Sequence, residues 1–479
     1  MIPMTLAEVA AAVDGTLHEA DPAARVLGTV EYDSRKLTPG GLFAAFVGEK
    51  VDGHEFAPTA MAAGAAAVLG TRPLPGVPMI LVDDPLAALT RLARAVLDSL
   101  DVTVVGITGS SGKTTTKDLI GQLLGELGPT VAPPGSLNNE LGLPYTVLRA
   151  DEHTRYLVLE MGARGIGHIK DLCEIAPPRI GVVVNVGVAH IGEFGSVDGI
   201  AAAKSELPQA LPAGGLAVLN ADDPRVAAMA AVTAAPVVLA GQAEGADLRA
   251  VDVVLDERGR ASFTLVRGEH SAPVELGLTG AHQVGNSLLA AAVALHCGMP
   301  WAELAAALAR LRTVSTRRMD VFDRADGVTV IDDSYNANPA STAAALRALS
   351  ALGGGAGADT GGLSRRTVAV LGYMAELGQA ERDGHAEVGA LAATLGVGLL
   401  IVVGESAAPI LDGAASVRHW EGESVLVSDQ AAAIGALRER LRAADVVLVK
   451  GSRYRTWDVV DALRETHAPL GASNGDGHR

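Results

Sequence analysis

Two kinds of stretch alternate along this chain. Short runs of almost uninterrupted apolar residues, of the kind a strand buried on both faces carries, are separated by longer Ala- and Leu-rich stretches that read as helices. In the first segment, residues 1–100, the helical stretches are Leu6 to Val13, Phe56 to Ala63 and Leu86 to Leu100, and the strands are Leu42–Val47 and Met79–Val82. Asp33-Ser34-Arg35-Lys36 and Asp52-Gly53-His54 read as loops between them. The second segment, residues 101–313, has strands at Val102–Ile107, Tyr156–Leu159, Ile180–Val186 and Leu216–Leu219, with a helix from Lys113 to Leu127 after the first. The third, residues 314–479, repeats the alternation with strands at Val328–Ile331, Thr367–Leu371, Leu399–Val403, Val425–Val427 and Val446–Val449. Strand–helix alternation of this kind predicts an α/β protein of three domains: a small α/β domain, a central parallel-sheet domain, and a C-terminal Rossmann-like, doubly wound domain without a GxGxxG loop. Gly353 to Gly362 reads as a Gly-rich surface excursion and Gly471 to Arg479 as a frayed tail.

Composition narrows the function. A chain of 479 residues is too long for one core, and a net charge of −17 argues against a nucleic-acid partner or an anionic membrane surface. No apolar run is long enough for a membrane span, and Glu8 and Asp14 stand where a signal peptide needs a basic start and an apolar run, so the cytoplasm is the expected location. Cys173 and Cys297 form no CxxC unit and read as idle thiols.

The strongest chemical signal is Gly106-Ile107-Thr108-Gly109-Ser110-Ser111-Gly112-Lys113-Thr114-Thr115, placed between a strand and a helix. Glycines let backbone N–H groups approach phosphates, and a helix N-terminus adds partial positive charge. Lys113 would reach the outer phosphates and the Thr114 hydroxyl would ligate Mg²⁺. The loop departs from the strict GxxxxGK[ST] pattern, because Ile107 stands at the position of the first glycine. No Asn-Lys-x-Asp motif accompanies it, which removes a regulatory GTPase. Glu160, at the end of a neighbouring strand, reads either as a solvated strand end or, beside this loop, as a second Mg²⁺ ligand. His190, after the next strand, and Lys204, in an Ala-rich helical stretch, read when taken alone as a structural histidine and a snorkelling surface lysine.

In order along the chain come ITGSSGKTTT, SLNNELGLP, LEMGARGIGHI, NVGVAHI, AKSEL and LNADD, then AHQVGNSLLAAAVA (281–294), RRMDV (317–321) and DDSYNANP (332–339). This set resembles the Mur ligases and their folylpolyglutamate synthase relatives over nearly the whole chain. A full domain precedes the phosphate loop, unlike in the folylpolyglutamate synthases. DSRKLTPGGLFAAFVGEKVDGHEFA (33–57) resembles the uridine-binding domain of the third and fourth ligases of the series. The Asp-Asn-Pro-Arg signature of the third is missing from the last segment, whereas DDSYNANP and LGYMAELG (371–378) resemble the fourth. Two positions depart from the family pattern: Tyr373 replaces the usual acidic residue and Ser136 an asparagine, neither expected to touch the phosphate chemistry.

The resemblance implies an ATP-dependent amide-bond ligase that works through an acyl-phosphate, with UDP-muramoyl-tripeptide and D-alanyl-D-alanine as substrates and a monomer as the expected state. It places ATP on Gly109, Ser110, Ser111, Gly112, Lys113, Thr114 and Thr115, with adenine near Asn286 and the ribose near Asp333 and Arg318. Tyr335 and Asn336 would lie beside the nucleotide. It gives one Mg²⁺ to Thr114 and Glu160, a second to the neighbourhood of His190, and a carbamate to Lys204. Ser34 and Arg35 would hold the uridine nucleotide, and Asn138 and Asn139 belong to the substrate side. A Mur-type ligase that adds a single amino acid and a non-enzymatic nucleotide switch are the alternatives.

Overall fold

The computed structural model describes residues 1–187, 191–354, 364–452 and 455–465. Beside a two-stranded pairing of Met4–Thr5 with Arg25–Val26, three larger sheets follow one another along the chain. The first has five strands in the order Thr16–His18, Met79–Leu81, Ala67–Gly70, Leu42–Ala44, Val30–Glu31, parallel except at the Thr16–His18 edge. Its two longest helices are capped as their sequences dictate. The Thr5 hydroxyl accepts from the Glu8 N–H at the start of Leu6–Val13, and Asp84 caps Pro85–Asp98, whose Pro lies at the first turn where no intrahelical N–H is needed.

The central sheet has nine strands, in the order His270–Thr279, Arg260–Arg267, Leu248–Leu255, Val237–Gly241, Leu216–Asn220, Ile180–Val183, Thr103–Thr108, Tyr156–Glu160, Thr130–Val131. From Thr130–Val131 to Leu248–Leu255 all pairings are parallel; the last two are antiparallel. Successive side chains of the parallel strands enter different cores. Val104, Leu157, Leu159 and Val183 face one layer, while Val105, Ile107, Val158 and Val182 face the layer that holds the Lys113–Gly125 helix. That two-sided burial is why these strands read as continuous apolar runs. The antiparallel extension is half-exposed, with Ala261, Phe263 and Leu265 buried at every second position.

The third sheet runs Asp320–Asp323, Thr329–Asp333, Val446–Lys450, Thr367–Leu371, Leu399–Val403, Glu423–Val427, with only the first pairing antiparallel. The Gly-rich excursion beyond Gly354 and the tail from Gly471 lie outside the described residues.

The two junctions between sheets differ physically. Leu6, Leu89 and Leu92 share one apolar cluster with Leu143, Val147 and Leu157, so the first sheet's helices are fused to the central layer. Each such leucine contributes about 2 kcal/mol on burial. The clusters of the third sheet contain no residue before Met319. It meets the central sheet through polar side chains and backbone, a junction that can open at little apolar cost. Cys173 is buried and Cys297 half-buried, both free thiols. Burial pushes the Cys173 thiol up to about 12, which leaves it unreactive. Among the described residues no helix is long and apolar enough to cross a membrane.

Candidate active site

The Thr103–Thr108 strand lies between Ile180–Val183 and Tyr156–Glu160, where chain connections leave in opposite directions and a crevice opens at the strands' C-terminal ends. The Gly-rich loop fills that crevice and runs into the Lys113–Gly125 helix. Gly112 caps this helix with φ of 78°, in the left-handed region, and a Cβ there would lie 3.0 Å from the Asn286 amide oxygen. No larger residue suits the position. The loop is pinned by Asn185, whose Oδ1 accepts from the N–H groups of Ser110 (3.0 Å) and Ser111 (2.9 Å). The Ile180 strand stops at Val183, earlier than its apolar run to Val186 suggests, because the backbone from Val184 turns to meet this loop. Gly187 N–H donates to the Ser110 hydroxyl at 2.8 Å.

Lys113 is half-buried and its Nζ donates to the Gly109 carbonyl at 2.8 Å. Burial lowers its pKa; Glu160 opposes that shift and Arg318 adds to it. Thr114 donates through its hydroxyl to Glu160 Oε2 at 2.8 Å. Glu160 Oε1 accepts from the Ser136 hydroxyl and from Asn138 Nδ2, each at 2.8 Å. Ser136 thus touches the phosphate machinery directly, contrary to expectation. The serine hydroxyl supplies the carboxylate with a proton donor at this position. Asn139 turns the other way, its Oδ1 accepting from the Gly142 N–H at 2.9 Å.

Lys204 is the largest correction. It lies on the Val197–Gln209 helix and is only 4% exposed, not a surface lysine. Burial first, and then the nearby Lys113 charge, push its ammonium down to about 7. His190 lies outside the described residues.

The third sheet closes the crevice from above. Arg318 donates to the Thr114 hydroxyl at 3.4 Å and lies over the Tyr335 ring, 4.2 Å from its centroid. Asp333, at a strand end, accepts from the Met319 N–H (3.2 Å) and pairs with the buried Lys450, which also donates to the Asn336 carbonyl at 2.9 Å. Burial lowers the pKa of Lys450 despite that partner. On the far side Asn286 is buried, accepting from the Thr116 hydroxyl and donating to Gln283. Burial also lowers the pKa of His282, which keeps it neutral at physiological pH. Together these groups line a cavity of about 530 Å³ that holds Ser110 to Thr115, Ser136, Asn138, Glu160, Asn286, Arg318, Asp333, Tyr335 and Asn336. That volume, with Lys113 and Arg318 turned toward the Gly-rich loop and Thr114 beside Glu160, suits a nucleotide triphosphate with its cation.

Ser34 and Arg35 lie apart from this cavity. Ser34 is buried in its loop, and the exposed Arg35 guanidinium forks onto Asp33 with two 2.8 Å hydrogen bonds. Tyr373, the other departure, donates its hydroxyl to Glu381 at 2.7 Å and stacks on His385. Asn185 and His282 stood inside motifs read from the sequence but were given no role there, and Lys450 went unremarked. Lys450 carried the same signal as Glu160, a charge closing an apolar strand run.

Thr114 and Glu160 offer two hard oxygens side by side, and no cluster of three His, Cys, Asp or Glu residues exists among the described residues. That donor set fits Mg²⁺, which keeps waters and phosphate oxygens in its shell, and not a cage-held metal.

Known proteins resemble this chain along nearly its whole length. Family profiles match residues 27–96 as the Mur ligase family catalytic domain, 107–294 as the Mur ligase middle domain, and 317–453 as the Mur ligase glutamate ligase domain. The UDP-N-acetylmuramoyl-tripeptide–D-alanyl-D-alanine ligase of Mycobacterium tuberculosis is 49% identical over 94% of this chain and 96% of its own. The crystal structure of MurF from Acinetobacter baumannii superposes with a TM-score of 0.83 at 30% identity, covering 97% of this chain and 99% of that one. MurF ligase from Thermotoga maritima in complex with ADP gives a TM-score of 0.74 at 30% identity over 91% and 97%.

Proposed function

The chain belongs to the Mur ligase family, and from that premise we propose that it joins D-alanyl-D-alanine to UDP-N-acetylmuramoyl-tripeptide at the expense of ATP, as a cytoplasmic monomer supplying a cell-wall precursor. The observation that carries this reading is the convergence of Lys113, Thr114 and Glu160 from the central sheet with Arg318, Asp333 and Lys450 from the third on one cavity.

ATP lies with its phosphates on Gly109 to Thr115 and its base toward Asn286 and His282. The C-terminal carboxylate of the tripeptide attacks the γ-phosphorus, the bond to the β-phosphate oxygen breaks, and ADP leaves an acyl-phosphate. The amine of D-alanyl-D-alanine then adds to the acyl carbon and expels inorganic phosphate, losing a proton as the amide forms. Lys113 and Arg318 face the charge that builds on the phosphoryl oxygens, within a half-buried site where such charges interact strongly. Mg²⁺, when bound by Thr114 and Glu160, neutralises phosphate charge. Ser136 and Asn138 fix the Glu160 carboxylate toward Thr114. A second ion, which the family resemblance alone suggests, would be held near His190, outside the described residues. We assign a carbamate to Lys204, since a buried amine that gives up its proton near pH 7 is free to take up CO₂ and become an anion. Ser34 and Arg35 are the proposed uridine-nucleotide contacts, and Asn138 and Asn139 are proposed on the substrate side.

The test is phosphate release from ATP in the presence of UDP-muramoyl-tripeptide, with D-alanyl-D-alanine or a single amino acid as the amine. Turnover is expected with the dipeptide. Turnover only with a single amino acid, or none with any amine, removes the reading.

A further inference from the structure

Thr114, Asp118 and Gln122 follow one another at intervals of four on the Lys113–Gly125 helix, so they lie along a single face. The segment that links the central and third sheets runs down this face and meets each in turn. At Gln122 both backbone groups of Arg312 are engaged: Arg312 N–H donates to Oε1 and Nε2 donates to the Arg312 carbonyl, each at 3.0 Å. At Asp118 the Ser315 N–H donates to Oδ2 at 3.0 Å. At Thr114 the Arg318 guanidinium arrives at 3.4 Å. Three rungs, at residues 312, 315 and 318, tie the linker to residues 122, 118 and 114.

The middle rung is buried and cross-braced. Asp118 and Ser315 are 6% and 3% exposed. Lys117 Nζ lies 3.0 Å from Asp118 Oδ1 and donates to the carbonyls of Pro133 and Gly135. The Ser315 hydroxyl accepts from the Gly135 N–H at 2.8 Å. Gly135 precedes Ser136, so the same knot fixes the loop that holds Glu160.

Length shows why rungs are needed. Eight helical residues from 114 to 122 span about 12 Å, whereas six linker residues reach about 20 Å when extended. The linker has slack, and tension alone cannot place Arg318. Its backbone is also held in an unfavourable form, with Arg317 and Met319 on either side at φ of 62° and 51°. Left-handed, non-glycine residues persist only where surroundings impose them.

We propose that Asp118 and Gln122 are positioning residues, which zip the interdomain linker onto the phosphate-loop helix and so deliver Arg318 to the phosphoryl group. This rests on the phosphoryl-transfer reading above. Gln122→Ala and Asp118→Ala are made alone and with Arg318→Ala, and phosphate release is followed with saturating ATP, UDP-muramoyl-tripeptide and D-alanyl-D-alanine. Wild-type protein is run first; no turnover there defeats the ligase reading, and amide exchange over residues 312–318 then judges the rail, faster exchange in Gln122→Ala supporting it and unchanged exchange overturning it. Each single variant is expected to lower kcat roughly tenfold to a hundredfold, as misplacement by about an ångström does, while KM for the uridine nucleotide stays within about twofold. Added to Arg318→Ala, each should cause no further loss, because the group it positions is gone. Unchanged kcat, or losses that multiply with Arg318→Ala, overturn the proposal. Should Asp118→Ala fail to fold with Lys117 left unpaired, Gln122→Ala decides the matter, together with Asp118→Asn. The asparagine oxygen still accepts from Ser315 N–H while its NH2 turns toward Lys117, so the variant should unfold at a lower temperature yet turn over faster than Arg318→Ala; an asparagine variant as slow as Arg318→Ala overturns the role given to that hydrogen bond.

Discussion

Replacing Lys204 by arginine keeps a cation on the Val197–Gln209 helix but removes the capacity to exist as a neutral amine, since a guanidinium does not lose its proton in water. A carbamate forms only from the neutral amine, so the magnitude follows from the burial of this side chain. With its pKa pushed down to about 7, roughly nine-tenths of Lys204 is neutral at pH 8. An exposed lysine of ordinary pKa near 10.4 would be neutral in only about 0.4% of molecules. Burial, with the Lys113 charge adding to it, therefore raises the reactive fraction about two-hundredfold. Lys204→Arg is expected to lose nearly all amine-dependent phosphate release, and wild-type activity should fall in CO₂-depleted buffer and return with bicarbonate. A carbonyl carbon signal from ¹³C-labelled bicarbonate, absent in the arginine variant, would report the adduct directly. Stability gives an independent readout. A lysine whose folded pKa lies below its unfolded value destabilises the fold most below the folded pKa, and the penalty fades as pH rises toward the unfolded value. Lys204→Met should accordingly raise the thermal midpoint more at pH 6 than at pH 9. An arginine variant that keeps most activity, with no response to bicarbonate, refutes the carbamate; equal midpoint changes at both pH values refute the shifted pKa.

Lys113→Ala removes the half-buried cation of the phosphate loop and should reduce turnover by about two orders of magnitude or more with little change in thermal midpoint, as read by steady-state kinetics and calorimetry; near-normal turnover excludes the assigned site. Gly192→Ala would place a Cβ 2.8 Å from Gly378 Cα, where central and third domains touch backbone to backbone. It should hold the domains apart, lowering kcat and enlarging the radius of gyration in small-angle scattering with ATP analogue and tripeptide; unchanged scattering and rate count against closure at this contact. Tyr373→Phe deletes the hydroxyl bonded to Glu381 and should cost about 1 kcal/mol in denaturant unfolding while turnover stays within about twofold. A large loss of turnover would give that hydroxyl a part in the chemistry.

The phosphate loop was readable from residues alone because its chemistry is contiguous: glycines, Lys113 and Thr114 occupy one strand–loop–helix unit whose backbone needs no distant partner to form. The parallel strands were readable for a similar reason, since burial on both faces demands an unbroken apolar run, and most of their ends fell within a residue or two. Glu160 stood out as a charge closing such a run. The half-exposed strands from Leu248 to Thr279 carried a period-two pattern that went unread, with Pro273 and Gly277 interrupting the last of them.

Tertiary structure alone decided the rest. Lys204 looked like a surface residue because an Ala-rich helix carries no mark of which face is covered, and its burial depends on the layers packed around it. Asn185 serves the loop across 74 positions of sequence, and Arg318 reaches Thr114 across 204. No local propensity encodes those meetings. The helix spacing that aligns Thr114, Asp118 and Gln122 was present in the sequence, but the strand of chain laid against it was not. Local residue order set the elements and the loop's chemistry, through interactions that close within a few residues. Which side chains share the cavity was set by the packing of three sheets, because only long-range burial could bring together groups so far apart along the chain.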